Sequence, residues 1–336
     1  MNALVTGATG FLGSHLCRQL VRDGFNVTAL CRSTSKTDAL DDLPISKKIG
    51  DVTDRLSLDD AVAGNDYVFH AAAHGTYWRR HKKVQNQVNI QGTENVSEAC
   101  LNFGVKKLVF ISSITAIGLP EEPGKSIGEE SAFNLEGSSL NYHISKKRAE
   151  EIVLGAVEKG LDAIIINPAN IWGPHGEKYR GADHVEKVMG KRVIPYFTGG
   201  ICVVHVDDVV DGIMAAFDRG RTGERYILGG ENILLKTIAE LALRHQDKKA
   251  SFVPLPKAVT WLAAVISESI ALASGRRPRI TFVTHKLASR FQYYDSEKAK
   301  RELGFTPRSF DVILEECIAF IESKKNTAVQ NSTSGR

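Results

Sequence analysis

The amino-acid sequence predicts a doubly wound α/β fold: a parallel sheet covered by helices on both faces, followed by a smaller, mostly helical C-terminal lobe. Three observations carry that reading. Short apolar runs alternate with helical patterns of ten residues or more through residues 1–168, which implies parallel strands joined by crossover helices. The runs are apolar throughout instead of alternating, as befits strands covered on both faces. A turn with glycines at 7, 10 and 13 joins the first run to the first helical pattern.

Taken in order, residues 3–5 form the first strand, and Leu12, Leu16 and Leu20 recur on one face of the helix after it. Further strands are expected at 26–30, 48–51, 66–70, 107–111 and 163–166, with helices at 54–63, 84–103 and 142–159 between them. Beyond Pro168 the alternation loosens, and a second lobe is expected to begin. Strands near 203–206 and 224–227, with a helix at 207–219, read as a return to the first domain. The expected division is therefore 1–168 plus 203–228 for the sheet domain, and 169–202 plus 229–323 for the lobe. Residues 257–274 form a helix stopped by Gly275, and Phe310, Ile313, Leu314, Cys317, Ile318 and Ile321 mark the apolar stripe of the last one. From Lys324 to Arg336 a flexible tail is expected.

Composition narrows the function. Apolar residues make up 43% and charged residues 24%, ordinary values for a globular protein, and a net charge of +4 makes no case for nucleic acid. The densest basic cluster, Arg79, Arg80, His81, Lys82 and Lys83 after Trp78, reads as a solvated helix start. Five scattered cysteines without a C-x-x-C pair read as reduced core residues. The first strand begins at the second or third residue, so no leader is expected and the compartment is expected to be cytoplasmic. The most lipophilic stretch, 258–267, runs ten residues before Glu268, against about twenty for a spanning helix, so no membrane span is expected. His70, His74 and His81 lack metal-ligand spacing, and no metal is expected.

Two constellations carry chemistry. A strand, a glycine turn and a helix N-terminus make a site for a pyrophosphate: Gly7 permits the turn, Gly10 admits the phosphate and Gly13 lets helix and strand pack closely. Tyr142 and Lys146, four apart at a helix start, project from one face. A phenol with pKa about 10 is a poor acid–base group at neutral pH, and lowering it by about 3 units takes roughly 4 kcal/mol of phenolate stabilisation. A desolvated ammonium one turn away is expected to supply much of that.

Thr6-Gly7-Ala8-Thr9-Gly10-Phe11-Leu12-Gly13 together with Tyr142-x-x-x-Lys146 resembles the extended short-chain dehydrogenase/reductase family. Smaller matches agree, among them Asp51-Val52, His70-Ala71-Ala72-Ala73, the N-x-x-G-T-x-N segment from Asn89, Asn167-Pro168-Ala169-Asn170-Ile171-Trp172-Gly173-Pro174 and His205-Val206-Asp207-Asp208-Val209. The resemblance spans residues 2–322 and implies a Rossmann dinucleotide domain. It implies Tyr142 as general acid/base, Lys146 as its partner on the nicotinamide ribose, and a third hydroxyl polarising the substrate oxygen. Counting back from Gly118 places that hydroxyl at Ser113, with Ser112 and Thr115 read as capping or core hydroxyls. The implied cofactor contacts are Gly7, Thr9, Gly10, Phe11, Leu12, Gly13, Arg32, Asp51, Val52, Ala71, Ala72, Ala73, Asn89, Ile111, Tyr142, Lys146, Pro168, Asn170 and Ile171. His74, Trp78, Ser113, Thr115 and Trp172 are the candidates for the substrate side.

An NAD site usually holds the ribose with an acid at the end of the second strand. This chain has Cys31 and Arg32 there and no acid before Asp38, so NADP(H) is expected over NAD(H), with Arg32 gripping the 2′-phosphate. Nucleotide-sugar members of the family carry an arginine four residues before the H-V-x-D histidine, where this chain has Ile201. With the apolar 255–273 segment, that points to a ketone or secondary alcohol on an apolar skeleton, as in dihydroflavonol-reductase-like and 3β-hydroxysteroid-dehydrogenase-like members. The alternative is a nucleotide-sugar epimerase or dehydratase with tightly held NAD. A silent dinucleotide sensor is disfavoured by the presence of Ser113, Tyr142 and Lys146. Arg180, Arg276, Arg277 and Arg279 are available for an acidic group, and the resemblance implies a homodimer.

Overall fold

The computed structural model describes residues 1–333, apart from 177 and 279, with side chains described as far as Lys324. The chain runs β1 (Asn2–Thr6), α1 (Phe11–Arg22), β2 (Asn26–Cys31), β3 (Ser46–Ile49), α2 (Arg55–Val62), β4 (Tyr67–His70), α3 (Lys82–Asn86), α4 (Gly92–Asn102), β5 (Lys107–Ile111), α5 (Asn141–Glu158) and β6 (Ala163–Pro168). It continues through β7 (Asn170–His175), β8 (Lys178–Arg180), α6 (Ala182–Glu186), β9 (Val193–Tyr196), β10 (Gly200–His205), α7 (Val206–Arg219), β11 (Arg225–Leu228) and β12 (Glu231–Leu234). The last elements are α8 (Leu235–Arg244), β13 (Ser251–Pro254), α9 (Lys257–Ser274), α10 (Phe282–Ala288), β14 (Phe291–Gln292), α11 (Glu297–Leu303) and α12 (Phe310–Thr333).

Seven parallel strands form the main sheet in the order β3-β2-β1-β4-β5-β6-β11. Alternation along the central strands divides their side chains between two cores. Val5, Phe69, Val109 and Ile164 face α1, α7 and α11, through Leu16, Leu20, Val209, Ile213 and Leu303. Their neighbours Leu4, Val68, Leu108 and Ile165 face α2, α4 and α5, through Leu58, Val96 and Val153. Both faces are thus apolar, which is why the strand sequences do not alternate. The strand order reverses between β1 and β4, and ligands of open parallel sheets bind at such a point.

The second lobe contains more sheet than its sequence suggests. One small sheet orders β12-β10-β7-β8 with β14 beside β10, and β9 pairs with β13. The 203–228 segment divides: β11 closes the main sheet beside β6, whereas residues 203–205 of β10 pair with β7, and 200–203 with β12, in the second sheet. Their apolar run resembles that of a buried parallel strand because β10 is wholly buried in its own sheet. The helix expected at 84–103 is α3 and α4 joined by a π-helical turn, Gln87–Gln91. The segment expected as a tail from Lys324 continues α12 as far as Thr333, and residues 334–336 lie outside those described.

The ten-residue limit drawn at Glu268 does not hold. Helix α9 is 18 residues long and is, among the described residues, the one helix long and apolar enough to cross a membrane by length and composition. Glu268 does not interrupt its outer face, because the carboxylate turns inward and accepts from the Phe282 backbone N–H at 2.9 Å.

Candidate active site

The glycine turn sits at the sheet's reversal point. Gly7 has φ +70, and a Cβ there would lie 2.6 Å from the Ala72 nitrogen at the end of β4. A Cβ on Gly13 would lie 2.2 Å from the Gly7 carbonyl oxygen, so α1 rests directly on the turn's backbone. Gly10 is the N-cap of α1, with no side-chain cap and no acid in the first turn, and its first N–H groups are available to an anion. The two sides of the crevice are locked together. The Thr6 hydroxyl lies 2.7 Å from His70 Nδ1 and accepts from Ala72 N–H at 3.2 Å. On its other side His70 Nε2 meets the Thr93 hydroxyl at 3.1 Å, and that hydroxyl donates to the Asn89 carbonyl at 2.7 Å. Burial pushes His70 down to about 3, so the ring is neutral. Phe11 opens α1 with the exposed Arg180 guanidinium 5.3 Å from its ring centre.

Farther along the crevice, Val52 is buried and its carbonyl accepts from Asn95 Nδ2 at 2.8 Å, while Asp51 Oδ1 accepts from Thr53 N–H at 2.9 Å. Arg32 is exposed just past β2 and has no ion-pair partner among the described residues. Its charge reaches His74, whose pKa is lowered first by burial, then by His81, Arg277 and Arg32. Uncapped N–H groups, a crevice that a Cβ would fill and an unpaired guanidinium fit a dinucleotide phosphate.

On the opposite side, Tyr142 and Lys146 rise from the first two turns of α5. Lys146 is 1% exposed; its ammonium donates to the Ile111 carbonyl at 2.8 Å and lies 4.6 Å from the centre of the Phe110 ring. Burial lowers it to about 8, opposed by Glu150 one turn along the helix. Tyr142 packs edge-on against Tyr77 at 6.0 Å, with the Ser113 side chain close by. Its pKa is raised by burial, with the Ser113 hydrogen bond and then the Arg180 charge acting to lower it. This corrects the expectation that Lys146 depresses the phenol: the ammonium is engaged by Ile111, and desolvation outweighs the groups that favour phenolate.

The structure brings Ser113, Tyr142, Lys146 and Ile111 together. Asn89, in the π turn, accepts from His74 N–H at 2.8 Å and donates to the Ser145 hydroxyl at 3.0 Å. Pro168 ends β6, while Asn170 and Ile171 open β7, with Asn170 donating to the Cys202 carbonyl at 3.3 Å. Thr9 lies in the turn itself and Ala73 is exposed beyond β4. Thr115 is buried with its hydroxyl unpartnered. His74 Nε2 lies 3.2 Å from His81 Nδ1, and Trp78 is buried with its ring 5.0 Å from that of His81. Trp172 is not on the substrate side: it is buried in the second lobe, stacked on His184 at 5.6 Å and set against Phe310. Arg279 lies outside the described residues.

One group escaped the sequence reading. The buried Glu150 accepts from the Ser112 hydroxyl and from Asn167 Nδ2, both at 2.5 Å, and pairs with Arg225 at 3.5 Å. Its signal was present, since Glu150 follows Lys146 by four residues and shares its helix face.

A glycine turn at the reversal point of a parallel sheet, facing a tyrosine and a lysine on one helix, is the organisation of the dinucleotide-binding enzymes of extended short-chain type. More narrowly, the chain belongs to the NAD dependent epimerase/dehydratase family, whose profile matches residues 3–229. It is 32% identical to a Synechocystis sp. protein provisionally named dihydroflavonol 4-reductase, over 95% of this chain and 94% of that one. It is 29% identical to the 4-hydroxy-2-methyl-3-oxo-4-farnesyl-3,4-dihydroquinoline-1-oxide ketoreductase of Stigmatella aurantiaca, over 92% of each. A UDP-glucose 4-epimerase from Thermotoga maritima superimposes with a TM-score of 0.75 at 23% identity, covering 96% of this chain and 99% of that one, which shows a shared fold.

Proposed function

We propose that this chain is an NADP(H)-preferring oxidoreductase acting at a ketone or secondary alcohol on an apolar skeleton. The docking of α5 on the end of β5 carries the reading: Lys146 donates to the Ile111 carbonyl at 2.8 Å, two residues before Ser113, which brings the Ser113 and Tyr142 side chains within reach of one substrate oxygen. Tyr142 holds its proton at neutral pH, the state that donation to a carbonyl oxygen needs. Burial makes it a weaker acid than a free phenol, so the proton would move only as that oxygen gains charge from the arriving hydride. Lys146, fixed on the Ile111 carbonyl with Glu150 behind it, is the cation that would hold the nicotinamide ribose. The dinucleotide, when bound, supplies the hydride. Gly7, Gly10 and Gly13 would seat its pyrophosphate and Arg32 its 2′-phosphate.

Support for an apolar substrate comes from Ile201 and from the surroundings of Tyr142. Ile201 is a core residue of the second lobe, so the position that carries an arginine in nucleotide-sugar members is apolar and buried here. Tyr77 links Tyr142 to a cluster of Leu119, Leu140, Val283 and Leu287, beside which a cleft of about 570 Å³ opens. Two relatives carry the names of a reductase and a ketoreductase.

The test is NADPH oxidation against a panel of flavonoid, steroid, terpenoid and aryl ketones. Turnover that Tyr142→Phe removes while NADPH binding persists is the expected result. Purification with retained NAD+ and no ketone turnover would instead favour the sugar-nucleotide reading.

A further inference from the structure

We propose that α9 seats this protein on an anionic lipid bilayer, lying in the interface with its outer face among the acyl chains. The helix is patterned inside out. Val259, Trp261, Leu262, Ile266, Ile270 and Leu272 are between 51% and 64% exposed. The residues it turns inward are small or polar: Thr260, Ala264, Glu268 and Ala271. Thr260 meets His285 at 2.8 Å, and Glu268 accepts from Phe282 N–H, so the polar face is engaged by α10 and the apolar face is left to its surroundings. A water-facing helix normally shows the opposite arrangement. Because α10 holds the polar face, the helix is placed to lie on a membrane and not to cross it.

Charge selects the occupant. Lys257 begins the helix and Arg276 and Arg277 follow it, all exposed, while the only acid within α9 is the inward Glu268. An apolar face with cations at both ends complements an anionic lipid surface. A second copy of the chain fits poorly, because cations meet cations whether two such helices pack parallel or antiparallel. The surface also adjoins the site: Arg79 pairs with Glu268 at 3.5 Å and lies over Phe282, in the same loop as Tyr77 beside Tyr142. That the membrane delivers the substrate to Tyr142 rests on the proposed reductase reading; the seating does not.

Tryptophan fluorescence tests it in the full chain, because Trp78 and Trp172 are buried and Trp261 is exposed. Vesicles of phosphatidylglycerol with phosphatidylcholine should blue-shift the emission and co-sediment the protein, and high salt should release it. Trp261→Phe should abolish the shift and keep the sedimentation. Leu262→Glu with Ile266→Glu should weaken sedimentation by at least about tenfold. Arg276→Gln with Arg277→Gln should remove the preference over phosphatidylcholine alone. Turnover of a short, water-soluble ketone should be unchanged in the Leu262/Ile266 variant, which keeps failure of the seating distinct from failure of the reductase reading. No shift and no sedimentation with anionic vesicles would overturn the proposal. So would a vesicle-free, concentration-dependent shift accompanied by a dimer mass, or retention of the protein in membranes after an alkaline carbonate wash.

Discussion

Gly13→Ala measures how closely α1 is docked. Its new Cβ would lie 2.2 Å from the Gly7 oxygen, 2.8 Å from the Gly7 carbonyl carbon and 3.0 Å from Ala8 Cα, where ordinary contact begins at 3.4 Å. The shortest gap must therefore open by 1.2 Å, the difference between 3.4 and 2.2. All three neighbours are backbone atoms, so no side-chain rotation relieves the clash, and the helix itself must retreat. Retreat loosens Leu16, Cys17 and Leu20, each fully buried against the sheet. Overpacking of this kind costs about 1–3 kcal/mol, and the unyielding neighbours put it at the upper end. Alanine regains about 1 kcal/mol of helix propensity, leaving a net loss of about 2 kcal/mol, or a Tm lower by about 3 °C. The same displacement carries the N-terminal N–H groups away from the phosphate, so affinity for NADPH should fall at least about tenfold. Calorimetric melting and fluorescence titration with NADPH read the two effects. Gly10→Ala is the partner experiment, because its Cβ would meet nothing nearer than the Gly7 oxygen at 3.1 Å. That variant should melt within about 1 kcal/mol of the parent yet bind NADPH poorly. If Gly13→Ala melts and binds like the parent, or Gly10→Ala loses as much stability, the division of labour between the two glycines is wrong.

Arg32→Asp should raise KM for NADPH far more than for NADH, and equal effects in steady-state kinetics would refute the phosphate role. Glu150→Gln keeps the shape of the acid but removes the charge that raises Lys146, so the alkaline limb of turnover should move below its parent position near pH 8; a pH–rate profile that does not move excludes the coupling. His70 is held near 3 in the fold against 6.5 for the free side chain, so the fold favours the neutral ring. Stability from this group is complete above pH 6.5 and is lost as pH falls from 6.5 towards 3, to a limit of roughly 5 kcal/mol. His70→Asn should flatten that part of the acid-stability curve, and a slope unchanged between pH 6 and 4.5 would refute the assignment.

The main sheet is legible because burial on both faces leaves a dense local record: β1, β2, β4, β5 and β6 are short, mostly apolar runs bounded by turn residues, whereas the edge strand β3, Ser46–Ile49, is mostly polar and exposed. The glycine turn and the Tyr142–Lys146 spacing were legible for the same reason, since a tight turn and a helical repeat are local. The pairing of β10 was not, because Cys202, Val203 and Val204 are as apolar in a small second sheet as they would be in the first. Trp172 misled because an aromatic after β6 looks alike whether it lines a cleft or packs on Phe310. The sign of the shift on Tyr142 depends on how far α5 sinks into the protein and on the capture of Lys146 by the Ile111 carbonyl, which spacing does not encode. Glu268 looks like a break in the apolar stretch because sequence order does not show which side of α9 faces inward.

The crossings between the two sheets set how the molecule can move. Pro168 ends one sheet and Asn170 begins the other, and the single residue between them, Ala169, donates its N–H to Leu228 at 3.0 Å. The return from β11 to β12 takes only Gly229 and Gly230, with Gly229 N–H held by Ser296 at 3.0 Å. The third passage, from β10 into α7, has no linker at all, while the later ones on either side of α11 run through residues 293–296 and 304–309. A hinge needs only a few residues whose torsions can turn, and the short junctions confine any opening to Ala169 and the Gly229–Gly230 pair. The gauge of the cleft is therefore held to a narrow range when the chain folds. Ligands of different size must be met by the 74–81 loop and by α10, and small-angle scattering curves with and without dinucleotide should superimpose.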